Sequence, residues 1–325
     1  LALNSLSLPH NARVLMAAFT FAAVPSSVVH ANFTPVLCEC GEDYMLDLKD
    51  FKKKIKSVDA VLISHMRGHT SDMDMILSEC KQANIPLIED AAHSLGTTWH
   101  GKKIGTLGDI GCFSFQSYKM LNAGEGGIFI TDDPELFAKA VIMSGAYEHN
   151  WMKHQGDQVY FKKWQNKLPL YNLRMNNLSA ALINAQLPEL GSRVQKGRLN
   201  HDFTTERLDK SPWISVPAKL EPEQRAPDSI QFNLVDMSSI EIDLFEEITS
   251  GSGLNVQIFG RTKNNARAFW NWQFLPETFE LPKTRKMLMT ACDVRLPSRL
   301  NLEECEAISD VILSAIMTIK SGVAA

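Results

Sequence analysis

The sequence lacks a strong surplus of charge of either sign. Its 325 residues carry 33 lysines and arginines against 37 aspartates and glutamates, which gives a formal net charge of −4 at pH 7. Proteins whose main partner is nucleic acid or an anionic membrane usually carry a basic surplus. We therefore expect neither nucleic acid nor membrane as a partner.

Long apolar runs are also missing. No stretch approaches the roughly 20 apolar residues that a membrane-spanning helix needs. The N-terminal stretch 1–24 has some features of a signal peptide, but Arg13 interrupts it and its apolar part follows a Pro-His-Asn-Ala turn. The first residue is Leu1 rather than methionine, so we expect that the sequence is truncated at its N-terminus.

Cysteines are few and scattered, and their spacing is not that of a disulfide framework. The pair Cys38 and Cys40 has no second pair of ligands nearby that would complete a zinc site. We therefore predict reduced thiols and a cytoplasmic location for the protein.

The first half of the sequence alternates short apolar runs with amphipathic stretches. We predict strands at 13–17, 34–40, 59–64 and 85–90, and helices at 21–32, 47–55 and 71–84, the last with Ser71 as N-cap. Two further strands, 112–115 and 128–131, are predicted to be buried. This alternation is typical of an α/β fold with a mostly parallel sheet and helices on both faces.

The pattern changes after residue 133. A helix is predicted from 134, a long loop at 148–169, and a long helical region at 175–210 with Asn176 near its start and a bend at Pro188. The remainder reads as a smaller α+β unit that ends in a helix capped by Asn301 and Glu304. We divide the chain into a large domain, 1–195, and a small C-terminal domain, 196–325.

Three groups of polar or aromatic residues follow predicted strands: Phe21; Asp90 with His93; and Ser114 with Lys119. Ligands of open α/β sheets bind at the carboxyl ends of strands, so these groups are potential neighbours. Each has an ordinary alternative: a core aromatic, a helix cap, a boundary histidine or a solvated loop lysine. Together, a lysine, a carboxylate, hydroxyls and an aromatic face suit pyridoxal 5′-phosphate (PLP).

Several motifs in order extend this interpretation. The segments "IEDAAHSLG", "GCFSFQSYKMLNAGEGGIFITDD", "NLRMNNLSAALINAQL" and "FTFAAVPSSVVHANFTPV" resemble the DegT/DnrJ/EryC1/StrS family of sugar aminotransferases. The resemblance covers nearly the whole chain. It implies PLP-dependent transferase fold type I, with PLP as the cofactor.

The resemblance also implies roles for individual residues. Lys119 would form the Schiff base and shuttle a proton, Asp90 would pair with the pyridine nitrogen, and His93 would lie near the phenolic oxygen of the ring. The remaining positions would bind the cofactor: Ser114 at the phosphate, Phe21 stacked on the ring, and Asn172 and Arg174 acting across the interface of a homodimer with shared sites.

The lysine distinguishes two branches of the resembled family. Its sugar dehydratases carry histidine at this position, so Lys119 favours amino transfer. We expect transfer from L-glutamate or L-glutamine to a keto sugar that is nucleotide-linked or a sugar acid. The alternative is a non-catalytic or regulatory protein that keeps the fold. A nicotinamide-dependent dehydrogenase is disfavoured, because "GTLGDIG" and "GEGG" do not spell G-x-G-x-x-G.

The sequence departs from the family pattern in two places. The resembled family has a Ser-Gly-Thr type segment ahead of the first strand that helps to hold the cofactor phosphate, and the given sequence starts downstream of the corresponding position. The segment "SHMRGHTSDMD" replaces the commoner His-aromatic-Gly pattern. His65 and His69 could chelate zinc on a helix, but Gly68 favours a loop, and we predict no metal.

The segment 266–274, "ARAFWNWQF", combines four aromatic residues with an arginine. It is consistent either with the core of the small domain or with part of the acceptor pocket.

Overall fold

A computed structural model describes residues 1–322. Its largest sheet has six strands in the order β2-β1-β3-β4-β7-β8. These strands are β1 (Arg13–Ala17), β2 (Thr34–Cys38), β3 (Ala60–Ser64), β4 (Leu87–Asp90), β7 (Ile110–Ser114) and β8 (Gly127–Ile130). The first five are parallel, and β8 pairs antiparallel with β7. The predicted mostly parallel α/β sheet is confirmed.

Helices connect and flank these strands. They are α1 (Ala2–Ser5), α2 (Ala23–His30), α3 (Leu48–Lys54), α4 (Met73–Ala83), α5 (Pro134–Met143), α6 (Gln158–Trp164), α7 (Asn177–Gln186) and α8 (Leu190–Leu208). A small three-stranded sheet is formed by β5 (Thr98–Trp99), β6 (Lys102–Lys103) and β10 (Glu223–Gln224).

The C-terminal part contains a four-stranded antiparallel sheet in the order β12-β13-β11-β9. Its elements are β9 (Ile214–Ser215), β11 (Ser229–Leu234), α9 (Ser239–Gly251), β12 (Gln257–Ile258), α10 (Pro282–Leu288), β13 (Ala291–Arg295) and α11 (Leu302–Lys320). The predicted α+β unit is therefore present. Helix α8 is continuous across residues 195 and 196, and the division into two domains at that point stays a prediction.

Helix caps confirm most of the predicted helix starts. Asn176 accepts a hydrogen bond from Ser179 N, and Asn301 forms a capping box with Glu304. The predicted cap at Ser71 is wrong. Asp72 caps α4 instead, because its carboxylate accepts from Met75 N, whereas the Ser71 hydroxyl accepts from Leu46 N.

Two other predictions need correction. The segment 148–169 is not a plain loop, because it contains a 3₁₀ turn and helix α6, which Asp157 caps. Strand β8 is not buried: its side chains are exposed or half-buried in the single chain, and Ile128 is 42% exposed. The expected bend at Pro188 is confirmed as a 3₁₀ turn between α7 and α8.

The main hydrophobic core surrounds the parallel sheet, and a second core lies between the four-stranded sheet, α9 and α11. Phe269 and Trp272 of the segment 266–274 pack in the main core rather than in the core of the C-terminal unit. Within residues 1–322, no helix is both long enough and apolar enough to cross a membrane.

Candidate active site

The predicted site residues follow the carboxyl ends of adjacent strands. Ser64 ends β3 and is in register with Asp90 at the end of β4, and Asp90 is in register with Cys112 of β7. Ser114 then ends β7. Parallel pairing places these ends along one edge of the sheet, as expected for a ligand site in an open α/β fold.

Asp90 is held by its neighbours on the sheet edge. One carboxylate oxygen accepts a hydrogen bond from the Ser64 hydroxyl at 2.8 Å and the other accepts from Ala92 N at 3.1 Å. The Ser64 hydroxyl is in turn 2.7 Å from that of Thr20, which follows β1. These two hydrogen bonds fix the direction of the Asp90 carboxylate at the sheet edge.

Lys119 lies in the loop between β7 and β8, and its Nζ is 2.9 Å from His93 Nε2. Burial lowers the pKa of Lys119 to about 8, and the charges of Arg67 and Arg295 act in the same direction, against Asp90 and Asp228. Burial also lowers the pKa of His93 well below its usual range, and the charge of Lys119 adds to this effect. A neutral imidazole therefore faces a lysine amine that deprotonates easily.

The loop that carries Lys119 is closed by backbone contacts. Phe115 N donates to Gly126 O at 2.8 Å, and Ser117 N donates to Gly124 O at 2.9 Å. Gly124 has φ +78° and Gly126 has φ +152°, which a side chain would disfavour. Ser114 accepts from Gln116 N and lines a small cavity that also includes His93 and Lys119.

Phe21 reaches the same region from the end of β1. Its ring is 43% exposed, and the guanidinium carbon of Arg267 lies 5.5 Å from the ring centroid. The charge of Arg267 also contributes to the lowered pKa of His93, after burial and the charges of Lys119 and Arg67. Phe21 thus contacts Arg267, and its stacking on the cofactor ring stays a prediction.

Asn172 and Arg174 do not join this group within one chain. Arg174 is 3.5 Å from the Asn172 side-chain oxygen and lies over the ring of Tyr147. Neither hydrogen-bonds to Lys119, Asp90 or His93 in the described part of the chain. Their role across a dimer interface stays a prediction.

Glu89 is the residue before Asp90 on strand β4, and the structure gives it a different role. Glu89 is fully buried, and its oxygens accept from the backbone N–H groups of Gly105, Leu107 and Gly108 at 2.7–2.8 Å. The alternation of side chains along a strand sends Glu89 to the face opposite Asp90. That rule, applied to "LIED", would have identified Glu89 as structural.

His65 and His69 have separate hydrogen-bond partners. His65 Nε2 is 3.2 Å from Glu89, and His69 Nε2 is 2.8 Å from Gln231. They follow β3 in a 3₁₀ turn, as the loop interpretation of Gly68 predicted. Within residues 1–322, no three histidine, cysteine, aspartate or glutamate side chains group as a metal site would require.

The chain is similar in sequence and in fold to known aminotransferases. GDP-perosamine synthase from Vibrio cholerae is 32% identical over 200 residues, which are 61% of this chain and 52% of that protein. The chain thus spans about half the length of that relative. Among solved structures, aminotransferase TlmJ from Streptoalloteichus hindustanus has a TM-score of 0.85 at 17% identity, covering 98% of this chain and 83% of that one.

A second solved structure bears on the cofactor. The putative sugar aminotransferase Spr1654 from Streptococcus pneumoniae is known in PLP and PMP forms; its PMP form has a TM-score of 0.84 at 19% identity, covering 98% of this chain and 84% of that one. The sequence model of one family matches residues 1–313. This chain therefore belongs to the DegT/DnrJ/EryC1/StrS aminotransferase family.

Proposed function

We propose that the protein is a PLP-dependent aminotransferase that converts a keto sugar to an amino sugar with L-glutamate or L-glutamine as donor. One observation carries the proposal: Lys119 Nζ lies 2.9 Å from His93 at the strand edge where Asp90 is anchored. Names of relatives such as GDP-perosamine synthase support a sugar acceptor. The nucleotide or acid portion of that sugar is not fixed by this observation.

The residues present fit PLP. His93 Nδ1 is buried without a hydrogen-bond partner in the described residues, so a polar ligand atom could satisfy it. Asp90 is held in place by two hydrogen bonds, Lys119 has a lowered pKa of about 8, and Ser114 offers a hydroxyl on the same cavity wall. When bound, the cofactor supplies an aldehyde carbon for the amine and a ring that withdraws electrons.

Lys119 would hold the cofactor covalently through Nζ and, once released, serve as the base at the substrate carbon that bears nitrogen. Its burial favours the neutral amine, which is the form that bonds to carbon and accepts a proton. His93, kept neutral, would orient that amine through the 2.9 Å contact. It would also offer its second ring nitrogen to a ligand oxygen.

Asp90 would keep a proton on the ring nitrogen of the cofactor. An ionised carboxylate at this position stabilises positive charge there, as the ion pair is shielded from water. The Ser64 hydroxyl and Ala92 N–H fix the direction of the carboxylate. Phe21 would offer its exposed face to the ring, and Ser114 its hydroxyl to the phosphate.

We further propose a homodimer in which Asn172 and Arg174 complete the partner's site. Apolar side chains are exposed around this segment, among them Leu170, Leu173, Leu178 and Leu182, at 49–80%. Such a patch is larger than isolated surface residues would account for and suits a subunit interface. The six free cysteines of the described residues support a cytoplasmic location.

Spectroscopy of the two half-reactions tests the proposed activity. The protein reconstituted with PLP should show a visible absorbance band that L-glutamate bleaches. The Lys119→Ala variant should not form the band of the covalently held cofactor. A protein that stays colourless with excess PLP contradicts the proposal, and one that forms the band but does not respond to any amino donor favours the non-catalytic alternative.

A further inference from the structure

Three arginines from distant parts of the chain meet beside the candidate site, and we call them the arginine cluster. Arg67 lies in the turn after β3, Arg267 precedes the buried Phe269, and Arg295 ends β13. The charges of all three depress the pKa of His93. Arg67 and Arg295 act in the same way on Arg267, although burial is the larger cause of its pKa of about 10. Arg295 also donates to the carbonyl of Tyr118 at 2.9 Å, next to Lys119. Gln257, which accepts from Arg267, is in register with Asp293, which accepts from Arg67. These contacts place the cluster beside the candidate site.

Two of the arginines are paired and one is not. Arg67 donates to Asp293 at 2.5 Å, and Arg295 donates to Asp228 at 2.9 Å. Arg267 donates only to the neutral amide of Gln257, at 3.1 Å, and forms no ion pair within residues 1–322. Three positive charges against two carboxylates leave the cluster with one uncompensated charge.

Donors in the cluster are also unsatisfied. The Nε atoms of Arg67 and Arg267 are buried without an acceptor, as is the amide nitrogen of Asn265, which lies two residues before Arg267. Arg67 is only 7% exposed. An unpaired buried donor costs about 1–3 kcal/mol, more when it is charged. A carboxylate would supply both the negative charge that the cluster lacks and acceptors for these donors.

The backbone at Arg67 shows that its position is enforced. Its φ is +55°, in the left-handed region that arginine rarely occupies, and the following Gly68 also has positive φ. Non-glycine residues in this region are strained and concentrate at functional sites.

We propose that the arginine cluster binds the carboxylate of the acceptor, so that the enzyme aminates a sugar acid. This inference rests on the proposed aminotransferase function. A neutral keto sugar would leave the Arg267 charge unpaired beside the site. Arginine binds carboxylate through two parallel hydrogen bonds, which a hydroxyl does not replace.

Ligand binding to the protein loaded with pyridoxamine 5′-phosphate (PMP) tests the inference. The probe is 5-keto-D-gluconate, and its neutral counterpart is L-sorbose, which has a CH₂OH group in place of the carboxylate. Calorimetry should give about tenfold or greater preference for the acid. Arg267→Gln should remove that preference, because Gln257 is neutral and no carboxylate is left unpaired. Arg207→Gln, which removes surface ion pairs with Glu306 and Asp310, should keep it.

Several outcomes would overturn the inference. One is equal affinity for the two probes; another is acid preference that persists in both Arg267→Gln and Arg67→Lys. Tight binding of UDP-glucose without binding of the acid would assign the cluster to a nucleotide diphosphate. If Arg267→Gln impairs bleaching by L-glutamate more than it impairs binding of the acid, the arginine cluster binds the amino donor instead.

The failure of the proposed function itself would look different. In that case the wild-type protein would show no visible band with PLP, or no bleaching with any amino donor. If both occur normally and only the acid preference is absent, the aminotransferase proposal stands and the sugar-acid inference is wrong.

Discussion

At the scale of single residues, the state of Lys119 is set by its surroundings. Burial favours the uncharged amine, because the protein interior solvates an ammonium group poorly. The pKa of about 8 therefore lies well below that of a free lysine side chain. The same burial keeps His93 neutral, so the pair can exchange a hydrogen bond without placing two positive charges together.

This pKa predicts a pH dependence for capture of the cofactor. Only the neutral amine attacks an aldehyde, so the rate of PLP binding to the apoprotein should rise with pH and level off above about 8. Stopped-flow absorbance at a series of pH values measures it, with N-α-acetyllysine as the reference compound. A rate that keeps rising tenfold per pH unit through pH 10 would contradict the lowered pKa.

Asp90 supplies a second prediction at this scale. Asp90→Asn keeps an acceptor for Ser64 but removes the charge, so the rate of bleaching by L-glutamate should fall by about 10²-fold or more. The melting temperature should change little. Ser64→Ala keeps the carboxylate but removes a hydrogen bond that orients it, so the rate of bleaching by L-glutamate should fall by about 10-fold to 100-fold. Near-normal rates in Asp90→Asn would remove Asp90 from the proposed chemistry.

At the scale of the element, strand β4 carries two carboxylates with different tasks. Burial alone would raise the pKa of Glu89, but the hydrogen bond and charge of His65 and backbone N–H groups lower it overall. Stability from this group is thus present above the pKa of an unfolded glutamate and is lost as pH falls through its lower folded value. Glu89 therefore stabilises the turn at 105–108 and does not bind the ligand in the proposed mechanism.

Glu89→Gln should therefore lower the free energy of unfolding by about 1–3 kcal/mol, because one backbone donor loses its acceptor inside the protein. Urea denaturation at pH 7 measures this change. Glu79→Gln on α4, a surface position paired with Lys52, is the matched control and should change stability little. Equal effects of the two substitutions would show that the buried hydrogen bonds of Glu89 contribute nothing special.

The elements also show what sequence reasoning reached. Strands β1, β3 and β4 were predictable because short apolar runs bounded by turn residues are typical of buried strands. Helix α6 was missed because seven residues give too short an amphipathic pattern, although Asp157 was a usable cap signal. The choice between Ser71 and Asp72 depended on a distant contact with Leu46.

The candidate site divides in the same way. Lys119, Asp90, His93 and Ser114 were predictable from strand ends, and the structure brings them together. The arginine cluster was not predicted, because Arg67, Arg267 and Arg295 become neighbours only when the C-terminal unit packs beside the parallel sheet. No local sequence pattern distinguishes an arginine that lines a binding site from one that is exposed to solvent.

At the scale of the whole molecule, the proposed shared site makes activity depend on two chains. Mixing Lys119→Ala with Arg174→Ala should restore about a quarter of wild-type activity per chain, because half of random dimers are hybrid and each has one intact site. Each variant alone should have little activity. No recovery after verified subunit exchange would place Arg174 outside the partner's site.

The central claim is that Lys119 holds the cofactor in a PLP-dependent aminotransferase. The most direct measurement is borohydride reduction of the PLP-loaded protein, followed by mass spectrometry of its proteolytic peptides. We predict one pyridoxyl adduct on the peptide that contains Lys119, and its loss when L-glutamate is added before reduction. An adduct on another lysine, or a labelling pattern that L-glutamate does not change, would contradict the account.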